Sequence, residues 1–194
     1  MPTIDELRSS LKKGLASPSR FDVLIPVTDS IEGITSQVLS FRCESADLPG
    51  LTYATADLKM SSAPIEKYPY LVTFNEINLT FIVSDDMSEK KYFDKWLTSI
   101  NPQFNNYDFD YKQNYARDIT IRQYDIAGNV SYAVKLLEAF PTSMNQLDLE
   151  WSTDSYHKLS VVFAYKQWNN NTVSSLIQNV KNGALTGLIN DLTT

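Results

Sequence analysis

Apolar residues recur at every second position in about seven short runs of this chain, and this period limits the possible folds more than any other feature. Ile77, Leu79, Phe81 and Val83 alternate with Asn78, Thr80 and Ile82, which describes a strand with one buried face and one mostly polar face. Phe21, Val23 and Ile25 repeat the pattern, and Leu39, Phe41 and Cys43 follow after a polar turn at Glu32-Gly33, predicting a strand pair. Ile119 and Ile121 precede a turn at Asp125 to Asn129, and Val130, Tyr132, Val134 and Leu136 come after it, predicting a hairpin that Pro141 closes. Leu147, Leu149 and Trp151 predict another strand, and Leu159, Val161, Phe163 and Tyr165 a long final one. Neighbouring runs are joined by short turns rather than by crossover helices. The expected fold is therefore mainly β: an antiparallel barrel or sandwich.

Helical spacing appears in three places. Residues 1–17 place Ile4, Leu7, Leu11 and Leu15 on one stripe behind a Thr3/Glu6 capping box, predicting a short N-terminal helix. Ser84-Asp85-Asp86 supplies carboxylates to the start of an internal helix whose Phe93, Trp96, Leu97 and Ile100 share a face before Pro102, so it should dock on the sheet. Past the β region at 18–168, Asn169 to Asn171 reads as a hinge. Residues 169–194 then form an amphipathic helical extension, in which Gly183 and Gly187 each cost about 1 kcal/mol relative to Ala. Between Asp47 and Tyr70, turn chemistry at Asp47-Leu48-Pro49-Gly50 and prolines 64 and 69 predict a long excursion outside the core.

Composition removes several function classes. The 194 residues carry 17 Lys+Arg against 23 Asp+Glu, a formal charge of -6, which opposes an electrostatic grip on nucleic-acid phosphates. The length fits one domain with an appendage. One cysteine, Cys43, rules out an internal disulfide framework, and one histidine, His157, rules out the common zinc constellations. The six glycines are too scattered for a phosphate-binding loop, and no nucleophile-elbow motif orders the Ser, Asp and His residues. Neither a signal-peptide core nor an uninterrupted apolar span is visible, so the expectation is a protein made and kept in a cytoplasm, without membrane insertion. His157 reads as a structural or surface strand residue and Cys43 as a small buried hydrophobe. Asp85, Asp86 and Glu89 read as helix capping. Tyr107-Asp108-Phe109-Asp110-Tyr111 reads as a loop whose aromatics pack down, or, as an alternative, as a carbohydrate-binding or hydrolytic site. No catalytic, cofactor or metal residue is expected.

The order of fragments over 18–168 resembles the tail tube proteins of contractile-tailed, myovirus-type bacteriophages. The likeness is carried by Pro18-Ser19-Arg20-Phe21-Asp22-Val23, by Phe41-Arg42-Cys43-Glu44-Ser45-Ala46-Asp47-Leu48-Pro49-Gly50 and by Phe93-Asp94-Lys95-Trp96. It continues through Ile121-Arg122-Gln123-Tyr124, Phe140-Pro141-Thr142, Leu147-Asp148-Leu149-Glu150-Trp151 and the closing Tyr165 to Trp168. The resemblance implies a small β-barrel or sandwich with a flanking helix. It also implies homohexameric rings that stack into a tube, with inner sheets joining to wall a channel through which DNA passes without specific binding. It implies tail sheath, baseplate and tape-measure partners, a place in the virion tail with assembly in the host cytoplasm, and no enzymatic activity or cofactor. Segment 169–194 runs past the end of compact members, so a baseplate tube initiator is the alternative, and the tube of a related bacterial injection machine a further one.

Physical reasoning supports that implication. A strand edge left open can be capped by an identical neighbour, and rotationally related copies satisfy every edge once the ring closes. Six copies at -6 each carry -36 formally, so the wall should repel phosphate rather than hold it. Pleat alternation around Ile119, Ile121 and Val130 to Val134 nominates Asp118, Thr120, Arg122, Ser131 and Lys135 as channel-facing residues. The N-terminal helix and the excursion nominate Leu7, Leu11, Leu48, Pro49, Tyr53 and Tyr68 for contacts between stacked rings.

Overall fold

The structure, a computed structural model, describes residues 3–4, 15–27, 34–59, 64–102, 108–152 and 155–170. In chain order its elements are β1 (Phe21–Leu24), α1 (Ser36–Arg42), β2 (Cys43–Ala46), β3 (Leu51–Leu58), β4 (Glu66–Phe74), β5 (Ile77–Ile82) and α2 (Ser88–Ile100). They continue with α3 (Lys112–Tyr115), β6 (Arg117–Tyr124), β7 (Val130–Met144), β8 (Lys158–Ala164) and β9 (Gln167–Asn170). The main sheet runs β1-β6-β7-β8-β5-β2, with β9 also on β7, and every pairing in it is antiparallel. Residues 5–14 of the predicted N-terminal helix, with Leu7 and Leu11, and residues 171–194 of the predicted extension lie outside the described residues, while Asn169 and Asn170, expected as a hinge, belong to β9.

Strand β7 divides this sheet into two layers. Up to Leu137 it pairs with β6 and β9, Ala139 still faces Arg117 of β6, and from Phe140 it pairs with β8. Between them Glu138 adopts a left-handed φ of 53°, and the β6 register slips between Arg117 and Ile119. Such a bulge bends a strand, which is how one strand can serve two sheets. The strand order stays open at β1 and β2, so the barrel half of the expectation is corrected: two sheets share β7 and do not close.

One core fills the space between them. Val23, Ile121, Val134 and Leu136 come from the first layer, Leu79, Phe81, Val161 and Phe163 from the second, and Tyr92, Phe93 and Trp96 from α2. Each fully buried side chain of this size contributes about 1.5–3 kcal/mol. The Trp96 indole N–H donates to the Tyr115 carbonyl at 2.8 Å, and the Arg117 guanidinium lies 4.4 Å from the indole ring, so the helix is held by polar geometry as well as burial. Leu97 and Ile100, expected on the same face, are half-buried.

Four expectations about strands fail for identifiable reasons. Leu39 and Phe41 belong to α1, where Thr35 caps the helix by accepting from the Val38 N–H at 3.2 Å. Two positions apart on a helix is about 200°, so Leu39 is fully buried while Phe41 is 79% exposed. The predicted pair between residues 21–25 and 39–43 is absent, because β1 pairs with β6 and β2 with β5. Leu147 to Trp151 form no strand: Asn145 ends β7 by accepting from the Ser160 N–H and donating to the Lys158 carbonyl, and Leu149 and Trp151 then project at 87% and 107% exposure. Pro141 does not close the hairpin but sits inside β7 opposite Phe163, next to a register slip that accommodates its missing N–H.

Candidate functional site

The first layer, β1-β6-β7-β9, presents its outer face away from the core, and the pleat decides what that face carries. Ile119, Ile121, Val134 and Leu136 point inward, so Asp118, Thr120, Arg122 and Lys135 point outward. They are gathered into one charged lattice. Arg122 forms a two-pronged ion pair with Asp22 on β1, its Nε donating at 2.9 Å, and the Tyr124 hydroxyl donates to the same carboxylate at 3.0 Å. Lys135 meets Asp118 at 2.8 Å with Thr120 beside it in register. Ser131 stands apart from the lattice, at the exposed turn end, where its hydroxyl donates to the Gln123 carbonyl at 3.1 Å.

The electrostatics of this face refine the expected negative wall. Its four ionic side chains are two cations matched with two anions, so the -6 of the chain is not concentrated here. Burial pushes the Asp118 carboxyl up, but Lys135 and the Glu138 N–H outweigh it and hold the group below its ordinary value. Hydrogen bonding to Asp22 raises Arg122 further, and burial together with Asp22 raises Tyr124. Asp22 was not singled out from sequence. Its alternation with Phe21 and Val23 was visible, but its partner lies 100 residues away and follows from the β1-β6 register.

The two flanks of this layer are β1 and β9, and among the described residues no further strand pairs with the outer edge of either. Successive antiparallel pairings through β6 and β7 make β1 and β9 run in opposite directions. A β9 edge laid against the β1 edge of an identical copy would therefore be antiparallel, continuing the alternation across the junction.

The excursion is ordered as a separate two-stranded sheet, β3 against β4, with a register slip that leaves Tyr70 as the extra residue. Leu48, Tyr53 and Tyr68 are exposed and Pro49 is half-buried. The hairpin is anchored at its base by Phe74, whose ring centroid lies 6.2 Å from that of Tyr165. Tyr53, Tyr70, Leu71 and Val72 are exposed along it, more apolar surface than a free hairpin sustains in water.

The residues weighed for chemistry have structural employment. Glu89 is fully buried and pairs with Arg42, while its other oxygen accepts from the Ser84 N–H at 3.0 Å and the Ser84 hydroxyl at 2.8 Å, joining the end of α1 to the start of α2. Asp86 accepts from the Ser84 hydroxyl and the Ser88 N–H, which with weaker help from Arg42 lowers its carboxyl. The Asp110 carboxylate accepts from the Tyr111 N–H and the Asn114 side chain, fixing the short α3 turn. Phe109 and Tyr111 are exposed rather than packed down, correcting that expectation, and Tyr107 lies outside the described residues. His157 precedes β8, its carbonyl accepting from the Val83 N–H at 3.0 Å. Burial pushes the Cys43 thiol up to about 12, far from a nucleophile's range. Among the described residues no cluster of His, Cys, Asp and Glu could hold a metal, and no helix is long and apolar enough to cross a membrane.

Comparison with known proteins bears on the fold. The chain superposes with a TM-score of 0.59 on a chain of an extracellular contractile injection system, from its PVC sheath-tube complex in the extended state, at 17% identity over 88% of this chain and 98% of that one. The tube-terminating cap of the anti-feeding prophage gives 0.59 at 16% identity, over 80% of this chain and 90% of the other. A chain from the baseplate of that same particle gives 0.55 at 13%, over 80% and 95%. No curated protein matches. At these identities the superpositions show a shared fold. The sequence itself matches the phage tail tube protein family across residues 16–171, and the chain belongs to that family.

Proposed function

We propose that copies of this chain close into a hexameric ring through β9-to-β1 edge pairing, and that such rings stack into the inner tube of a contractile phage tail. The observation that carries the reading is the four-stranded layer whose flanking strands β1 and β9 run in opposite directions, with no further strand on either among the described residues, and its polar outer face. Joined around an axis, these layers form a continuous antiparallel wall, and Asp22, Asp118, Thr120, Arg122 and Lys135 line the channel. Ion pairs of matched sign give DNA no patch of uncompensated cations to grip, so it slides through without specific binding. The exposed hairpin with Leu48, Pro49, Tyr53 and Tyr68, together with Leu7 and Leu11 of the N-terminal segment, supplies contacts between rings. Sheath on the outside, tape-measure protein in the channel and baseplate at one end complete the partners. The particle is assembled in the host cytoplasm, and the chain has no catalytic task.

Electron microscopy of concentrated protein tests this. Sixfold rings or tubes are expected, whereas monomers at every protein and salt concentration would overturn it. A tube initiator in the baseplate is the second reading, favoured by the stretch 172–194 that follows the family match over residues 16–171. Copy number per virion separates the two: many rings for the tube, one ring for an initiator.

A further inference from the structure

We propose that residues 145–152, which carry Leu149 and Trp151 after β7, are the receptor for the β3-β4 hairpin of a second copy of this chain, so that copies join head to tail. The inference rests on the tube reading above and names the surface that receives the hairpin.

Placement is the first argument. The hairpin leaves the second layer where β5 begins, at Ile77 opposite Phe163. The receptor segment leaves the same layer at the other end of β5, where Ile82 faces Lys158 and Asn145 is bonded to Ser160. The six residues of β5 separate these ends by about 17 Å. Displacing a copy along the strand direction brings the hairpin of one toward the receptor of the next. Contact between unlike surfaces can repeat in one direction without limit, whereas two hairpins meeting each other would stop at a pair.

Surface chemistry is the second argument. Leu149 is 87% and Trp151 107% exposed, and the chain around them borders a concavity of about 1040 Å³ shared with Tyr156. The hairpin exposes Tyr53, Tyr70 and Leu71 and needs cover to be stable. Each surface shows what the other can bury, and Trp and Tyr are the residue types that dominate contact energies. Asp148 and Glu150 flank the receptor, while Lys59 and Lys67 lie toward the hairpin tip beside Asp57 and Glu66. Apolar area thus carries the contact and charge adjusts its orientation.

The test uses the full chain, with wild-type assemblies imaged alongside a Leu149→Ser, Trp151→Ser double variant whose folding is checked by circular dichroism. Single rings with at least a tenfold loss of tube mass are expected. A second protein, with Tyr70→Cys and Leu149→Cys in a Cys43→Ala background, is oxidised after assembly. It should give a ladder of covalent oligomers beyond the dimer, which neither single-cysteine version gives. Wild-type tube length in the Ser variant, or assembled two-cysteine tubes without a ladder, overturns the inference and leaves the ring reading standing. Wild-type protein that forms no rings removes the tube reading and this inference with it.

Discussion

The Glu138 backbone N–H donates to the Asp118 carboxylate at 3.1 Å, at the point where β7 passes from one layer to the other. The same residue holds the left-handed φ of 53° and turns its carboxylate to Lys166 at 2.7 Å and Lys112 at 3.1 Å. Asp118 is in turn fixed by Lys135 on the outer face of the first layer. The bend that separates the layers is therefore tied to the charged lattice on the proposed inner wall, and disturbing one should disturb the other.

Glu138 is best tested by backbone tolerance. Glu138→Val places a β-branched residue at positive φ and should lower Tm by about 3–8 °C, whereas Glu138→Asn, a residue that accepts this conformation, should lower it less. Thermal unfolding of both variants at neutral pH checks the order.

Removing the half-buried Arg42 between α1 and α2 leaves the fully buried Glu89 carboxylate without its cation. Arg42→Ala should cost about 3–5 kcal/mol, and Glu89→Gln, which keeps an acceptor for Ser84, less. Urea denaturation of the two variants measures the difference. Equal and negligible losses would show that the pair contributes nothing.

Acid should loosen the bend. Asp118 and Glu138 both have carboxyls held below their ordinary values in the folded chain, Glu138 chiefly by hydrogen bonds from Lys166 and then Lys112. A depressed folded pKa contributes stability that is present above the unfolded value and lost as pH falls through the folded one. The urea midpoint of the wild type should therefore drop from about pH 4 downward. In an Asp118→Asn, Glu138→Gln variant the midpoint should be lower at pH 7 and change less between pH 5 and pH 3.

If the outer face of the first layer lines the proposed channel, its neutral pairing predicts a gain of DNA binding when the anions are removed. Asp22→Asn with Asp118→Asn leaves Arg122 and Lys135 unmatched, two extra positive charges per copy. Tubes of this variant should retain short DNA at low salt and release it as ionic strength rises, with wild-type tubes retaining little at any salt. A gel-shift series across salt concentrations reads the effect.

Cys43 should be slow to react. With its thiol pushed up to about 12, almost no thiolate is present at pH 8, so labelling by a disulfide reagent should be at least tenfold faster in urea than in buffer.

The sequence by itself determined that β-strands dominate, that the strands around Ile77–Val83, Ile119–Ile121 and Leu159–Phe163 bury one face, and that Phe93 and Trp96 lead a helix into the core. These follow from local periodicity, which a strand or helix expresses wherever it is placed. Asp118, Thr120, Arg122 and Lys135 were legible as one face for the same reason, since a pleat alternates whatever its neighbours. Tertiary structure decided the rest. Leu39 and Phe41 have the spacing of a strand, yet Thr35 capping and the burial of Leu39 favour a helix. Leu149 and Trp151 alternate with no strand to join. The partnership of Asp22 with Arg122, the passage of β7 between layers and the opposite placement of hairpin and receptor segment all depend on pairings between distant parts of the chain. Such registers are fixed by the summed burial of two whole layers, and no local window of sequence contains that sum.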